Sequence, residues 1–159
     1  MSGFSLTPLP LLKGALALCP LPGAGEGAGL ADDLAQVQAW GADLVLTLVP
    51  QAELAELGAS ALPQQVARLG MAWRPFPIRD FGVPQGGDWP ALSQELRAVL
   101  ARGGRVMIHC RGGCGRTGMI ALRLMLEAGE PPQPALARLR AARPCAIETE
   151  AQLAWALRD

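Results

Sequence analysis

Short apolar runs alternate with stretches whose apolar residues recur every three to four positions. The runs ALALC at 15–19, DLVLTLV at 43–49, MAWRPFPI at 71–78 and RVMIH at 105–109 are expected to be strands. Helical spacing appears at 30–40, 51–57, 61–70 and 90–103, and then near 116–128, 134–142 and 149–158. Strands alternating with helices predict an α/β fold. Its mainly parallel central sheet of four to five strands is flanked by helices on both faces, and its last third is helical. The segment PGAGEGAG at 22–29 reads as a flexible connection. With no internal repeat or linker, residues 1–159 are read as one domain.

Composition narrows the function classes. The residues are 50% apolar and the formal net charge is zero, which argues against a nucleic-acid surface and against a disordered tail. The apolar stretch Leu6 to Cys19 lacks a basic flank, is broken by Pro8, Pro10 and Lys13, and has bulky Leu18 before the cysteine, so it is not expected to be a signal peptide. No run is long and clean enough to span a bilayer, and the chain is expected to be soluble, with no membrane partner. Four cysteines, Cys19, Cys110, Cys114 and Cys145, have neither zinc-ligand spacing nor the density of a secreted disulfide framework. With one histidine in the chain, no metal and no cofactor is expected, and the cysteines suggest a reducing cytoplasm. Trp40, Trp73 and Trp155 are read as packing residues. Oligomeric state is left open.

The segment HCRGGCGRTG at 109–118 carries the chemistry. It lies between a strand end and a helix start, where backbone N–H groups lack intrahelical partners and can face an anion. Gly112, Gly113 and Gly115 let the backbone curl around that anion, so the amides of Arg111, Gly112, Gly113, Cys114, Gly115 and Arg116 are the expected phosphate-binding groups. A cysteine attacks as thiolate, a form favoured by helix amino ends and neighbouring cations. Cys110 has both. The planar guanidinium of Arg116 can donate two parallel hydrogen bonds to equatorial phosphoryl oxygens and follow their charge during transfer. Thr117 can offer its hydroxyl to the Cys110 sulfur. His109 is expected to brace the loop, because adjacent strand residues point to opposite faces.

These residues resemble the signature loop of the cysteine-dependent protein tyrosine phosphatases, with Cys110 as nucleophile, Arg116 as phosphate clamp and Thr117 as the hydroxyl behind it. The chain most resembles the compact dual-specificity branch and, within it, phosphatases similar to the cyclin-dependent-kinase-associated phosphatase, whose loop also holds a Gly-Gly pair. RPCAIETEAQ at 143–152 is similar to the segment that follows the loop there, with Cys145 in place of an expected glycine. The likeness covers about residues 40–155. It implies hydrolysis of phosphomonoesters, on a phosphorylated protein or a small molecule, through a phosphocysteine intermediate. It also implies an aspartate acid and base on a mobile loop about thirty residues before the nucleophile. Asp80 stands there, in RDFGVPQGGDWP, with Asp88 as the alternative; Asp88 also reads as a helix N-cap. Gln152 orients water by the same resemblance, or closes a T-x-x-Q capping box with Thr149. The absence of tyrosine removes the aromatic wall that tyrosine-specific members build with that residue.

Other readings stay beside this one. Gly113, Gly115 and Gly118 spell a dinucleotide fingerprint, but no second strand with an acidic end is expected after them; Gly23, Gly25 and Ala28 give a weaker match. A rhodanese-like or arsenate-reductase-like enzyme, or a catalytically silent phosphate-binding module, would also use a cysteine loop. Cys114 reads either as a protective disulfide partner of Cys110 or, without a redox role, as an outward-facing side chain, and Cys145 is the candidate for a more distant resolving thiol.

Overall fold

The computed structural model describes residues 4–24 and 29–159. The centre of the expected flexible connection, with Gly25 and Ala28 of the weaker fingerprint, lies outside the described residues. The elements run β1 (Thr7–Leu11), β2 (Gly14–Cys19), α1 (Leu30–Trp40), β3 (Leu44–Thr47), α2 (Gln51–Glu56), α3 (Leu62–Arg68), β4 (Ala72–Pro75), α4 (Trp89–Ala101), β5 (Arg105–His109), α5 (Gly115–Glu127), α6 (Pro132–Ala142) and α7 (Glu150–Leu157).

They build one five-stranded sheet in the order β1-β2-β5-β3-β4, with β2, β5, β3 and β4 parallel and β1 antiparallel at the edge. Every residue of β3, and Val106 to His109 of β5, is buried, so both faces of the sheet centre are covered. Helices α4 and α5 both pack on β2 and β5, and α6 and α7 pack on α5. Among the described residues no strand follows β5, which removes the second strand a dinucleotide fold would need. Among them, too, no helix is long and apolar enough to cross a membrane.

The hairpin β1–β2 departs from the sequence expectation, which marks Pro8 and Pro10 only as breakers. In the fold they sit exposed on the edge strand, where a missing N–H costs no ladder bond, while Leu9 and Leu11 alternate inward into the core. The apolar stretch Leu6 to Cys19 is thus mostly a hairpin.

Register decides where the chemistry falls. Cys19 of β2 and Thr47 of β3 both pair with His109 of β5, so three parallel strands end at one level, directly before the cysteine loop. That is the carboxyl edge at which open α/β sheets bind ligands.

Candidate active site

Residues 110–114 leave β5 and curl into the start of α5. The carbonyls along this curl all face outward and are all occupied. His109 O accepts from Leu48 N–H at 3.1 Å, Cys110 O from the His109 ring Nδ1 at 3.1 Å and Arg111 O from Leu21 N–H at 3.0 Å. Arg143 donates to Gly112 O at 3.0 Å and, through Nε, to Gly113 O. Cys114 O accepts from Gly118 N–H at 2.8 Å and Ile147 N–H at 3.1 Å. By contrast, the amides of Arg111 to Arg116 have no protein acceptor among the described residues. With the carbonyls engaged elsewhere, these unpaired amides are available to an anion, as in a backbone nest.

One glycine shapes the curl and another seats the helix that follows it. Gly113 has φ +73°, and a Cβ there would stand 2.5 Å from the Cys19 carbonyl carbon. At Gly118 a Cβ would stand 2.6 Å from Ile147 N, so only glycine lets α5 lie against residues 146–147.

Cys110 is 3% exposed and forms no disulfide. Arg116 is 1% exposed and held on three sides. Glu53 of α2 grips its end, Nη1 to Oε1 at 2.9 Å and Nη2 to Oε2 at 3.0 Å, and Nη1 also donates to Ile78 O at 2.9 Å. Nη2 lies 3.1 Å from Asp80 Oδ1. Burial alone would favour losing the proton, but the Glu53 bonds and the negative charges of Cys110, Glu53 and Asp80 outweigh it and raise the pKa of Arg116. The two parallel bonds expected for phosphate therefore go to Glu53. A guanidinium has a second edge, Nε–H with the outer proton of Nη2, and that edge remains for an oxyanion once Asp80 lets go.

Glu53 escapes a reading of motifs, since QAELAEL looks like an ordinary amphipathic helix. Its usable signal is position: it lies in the first turn of the helix that follows the carboxyl end of β3.

His109 is fully buried. The Cys110 carbonyl can only accept, so Nδ1 carries the proton and Nε2 accepts from the Thr47 hydroxyl at 2.8 Å; that oxygen accepts in turn from Trp73 Nε1 at 2.8 Å. Burial pushes the His109 pKa down to about 4; the Cys110 carbonyl opposes this and the Arg116 charge adds to it. A neutral, doubly bonded ring braces the loop.

Asp80 and Asp88 part company. Asp80 reaches Arg116 beside the nucleophile loop, whereas Asp88 caps α4, its carboxylate accepting from Ala91 N–H at 3.1 Å. Gln152 completes the capping box with Thr149, and its Nε2 also donates to Gly82 O at 3.1 Å, tying α7 to the loop that carries Asp80. The expected hydrogen bond from Thr117 to Cys110 is not formed. The Thr117 hydroxyl is buried without a partner among the described residues, a condition that costs about 1–3 kcal/mol and sets a donor aside near the nucleophile's helix.

Two cysteine expectations are corrected. Cys114 bonds neither to Cys110 nor outward to solvent as a free thiol; it forms a disulfide with Cys145, Cα to Cα 5.1 Å. The N-cap residue of α5 and a residue in the segment that follows α6 stand face to face because α5 packs tightly on residues 146–147. Cys19 stays a free, buried thiol beneath the loop, where burial, partly offset by Arg143, pushes its pKa up to about 12. Asp80, Phe81, Arg111, Gly112, Cys114 and Glu148 line an open cavity of about 350 Å³ over the loop. No group of three or more His, Cys, Asp or Glu gathers as a metal site among the described residues.

Comparisons with known proteins bear on the family and the fold. Residues 23–130 match the family model described as "Tc-R-P: Polymorphic toxin system, DSP-PTPase phosphatase". Mouse cyclin-dependent kinase inhibitor 3 is 30% identical over 132 residues, which are 80% of this chain and 63% of that protein, so the chain spans less than two thirds of the curated relatives it matches first. The crystal structure of kinase-associated phosphatase, with its catalytic-site cysteine replaced by serine, superposes with a TM-score of 0.89 at 24% identity, covering 99% of this chain and 94% of that one, and shows the same fold. Tk-PTP in its active form is 28% identical with a TM-score of 0.69, covering 88% and 87%. Because that family model matches residues 23–130, more than half of the chain, the chain belongs to the dual-specificity cysteine phosphatases, the DSP-PTPase family.

Proposed function

We propose that this domain hydrolyses phosphomonoesters on proteins, phosphotyrosyl side chains among them, through a phosphocysteine intermediate. The observation that carries the reading is the loop after Cys110, whose carbonyls are all engaged while the amides from Arg111 to Arg116 are unpaired, beside a free Cys110 and an Arg116 held in place by Glu53.

The phosphoryl group enters the nest and takes the Nε–Nη2 edge of Arg116 from Asp80. Cys110 Sγ attacks phosphorus in line, the bond to the ester oxygen breaks, and Asp80 gives that oxygen a proton. Water then attacks the phosphocysteine, its proton passes to Asp80, and the S–P bond breaks to release inorganic phosphate. Positioned donors meet the charge on the equatorial oxygens without rearranging, which is where most of the acceleration arises. Phe81, next to the acid, is 60% exposed on the cavity rim with φ +61°. An exposed ring in a backbone conformation unusual for phenylalanine supports a contact with an aryl leaving group, in a chain that has no tyrosine to supply one.

The deciding experiment is turnover of p-nitrophenyl phosphate by the Cys110→Ser variant, alongside tungstate binding. Turnover is expected to vanish while tungstate still binds, and EDTA should leave the wild-type rate unchanged. Retained turnover in the variant would show that another residue attacks.

A further inference from the structure

The segment 143–152 touches both halves of the site. Toward the cysteine loop, Arg143 holds the carbonyls of Gly112 and Gly113, and Ile147 N–H holds that of Cys114. Toward the acid loop, Gln152 Nε2 holds Gly82 O, two residues beyond Asp80. Between these grips Ile147 is buried at φ +68°, a left-handed conformation that a β-branched residue keeps only when its surroundings enforce it. The one covalent grip on this segment is the disulfide between Cys145 and Cys114, and it leaves the nucleophile free.

Resting on the phosphatase reading of the site, we infer that Cys114 and Cys145 form a reversible dithiol–disulfide couple that regulates it, the oxidised form holding cysteine loop and acid loop in competent register. The reductant is a dithiol and the oxidant a low-molecular-weight disulfide such as oxidised glutathione. Cys145 is exposed and Cys114 half-buried, so a dithiol's thiolate attacks Cys145 Sγ. The Sγ–Sγ bond breaks and its electron pair leaves on Cys114, at the amino end of α5, where unpaired amides favour an anion and so a good leaving group. The second thiolate of the dithiol closes on the mixed disulfide and frees Cys145. Two electrons and two protons pass to the pair, and the dithiol departs oxidised. Oxidised glutathione reverses the change, leaving as two molecules of reduced glutathione.

With the pair reduced, Ile147 is released toward ordinary backbone angles, and the bonds to Cys114 O and Gly82 O are released with it. The amide nest and the acid loop then lose a shared support although no atom of the nucleophile has changed.

The test equilibrates the wild-type chain in glutathione buffers from fully oxidised to fully reduced, with alkylation and mass mapping to count the pair and to confirm free Cys110. Tungstate affinity and p-nitrophenyl phosphate turnover are read on the same samples. Reduction is expected to lower both by about tenfold, within the range of ordinary site-to-site coupling, and reoxidation to restore both. Cys145→Ser should sit at the reduced level at every glutathione ratio; should it fail to fold, the wild-type titration still decides. A pair that forms at no ratio, or binding and turnover indifferent to it, overturns the proposal. Tungstate affinity that follows the pair while turnover is absent throughout would leave the couple standing and remove the hydrolase reading instead.

Discussion

The carboxylate of Glu53 meets the guanidinium of Arg116 end-on, oxygen to nitrogen 2.9 and 3.0 Å, across 63 residues of chain. That grip turns an otherwise mobile side chain into a fixed clamp and leaves one guanidinium edge for phosphate. Glu53→Gln keeps the shape and removes the charge. We expect kcat/KM to fall about 10- to 100-fold, or about 1.4–2.7 kcal/mol of transition-state stabilisation, with weaker tungstate binding. Glu53→Ala also leaves the buried Arg116 cation with only Asp80 and the Ile78 carbonyl, and should lower stability in denaturant unfolding. Unchanged kinetics in Glu53→Gln would show that Arg116 needs no such support.

The two aspartates are separable by their pH–rate profiles. Asp80→Asn is expected to flatten the high-pH limb and to slow poor leaving groups more than p-nitrophenol, because only a protonated acid assists departure. Asp88→Asn or Asp88→Ala should leave the profile in place, the alanine losing about 1 kcal/mol of stability from the cap of α4. A flattened limb in the Asp88 variants would reassign the acid.

His109 is the only histidine in the chain, so its titration is read without assignment. Its folded pKa lies below the unfolded value of 6.5, near 4, so between these values the unfolded chain binds a proton that the native ring refuses. Stability is therefore full above pH 6.5 and is lost as pH falls toward 4, by roughly 3 kcal/mol at 1.36 kcal/mol for each pKa unit. The single imidazole resonance should stay at its neutral position from pH 8 to 5. A midpoint near 6.5 in the folded protein would refute the buried, neutral ring.

Glu127 knits α4 to α5. It accepts from Trp89 Nε1 at 3.0 Å, from Arg123 Nε at 2.7 Å and from the Ser93 hydroxyl. Burial would raise its pKa, but the bonds from Ser93, Trp89 and Arg123 outweigh it and hold the pKa below the usual 4.5. The stability it contributes is present above pH 4.5 and fades as pH falls through the folded value. Thermal unfolding of Glu127→Gln against wild type should show a constant gap at neutral pH that narrows in acid. A gap independent of pH would mean that the carboxylate's charge plays no part.

The sequence alone determined what is local. Continuous apolar runs marked the central parallel strands, which are buried on both faces, and apolar spacing of three to four marked the helices, which bury one. The six-residue reach from Cys110 to Arg116 marked the nucleophile and clamp, because a contiguous loop needs no distant segment to curl. Tertiary structure alone decided what depends on strand order. Placing β5 between β2 and β3 brought α2, and Glu53 with it, to the same edge as Arg116. It also let Pro8 and Pro10 join an edge strand, because an outer strand has no second neighbour whose carbonyls need their missing N–H groups. The close seat of α5 on residues 146–147 set Cys145 opposite Cys114, and the turn of α7 put Gln152 on Gly82. Such contacts join residues tens of positions apart. No short-range pattern encodes them, because their energy exists only after the sheet has chosen its neighbours.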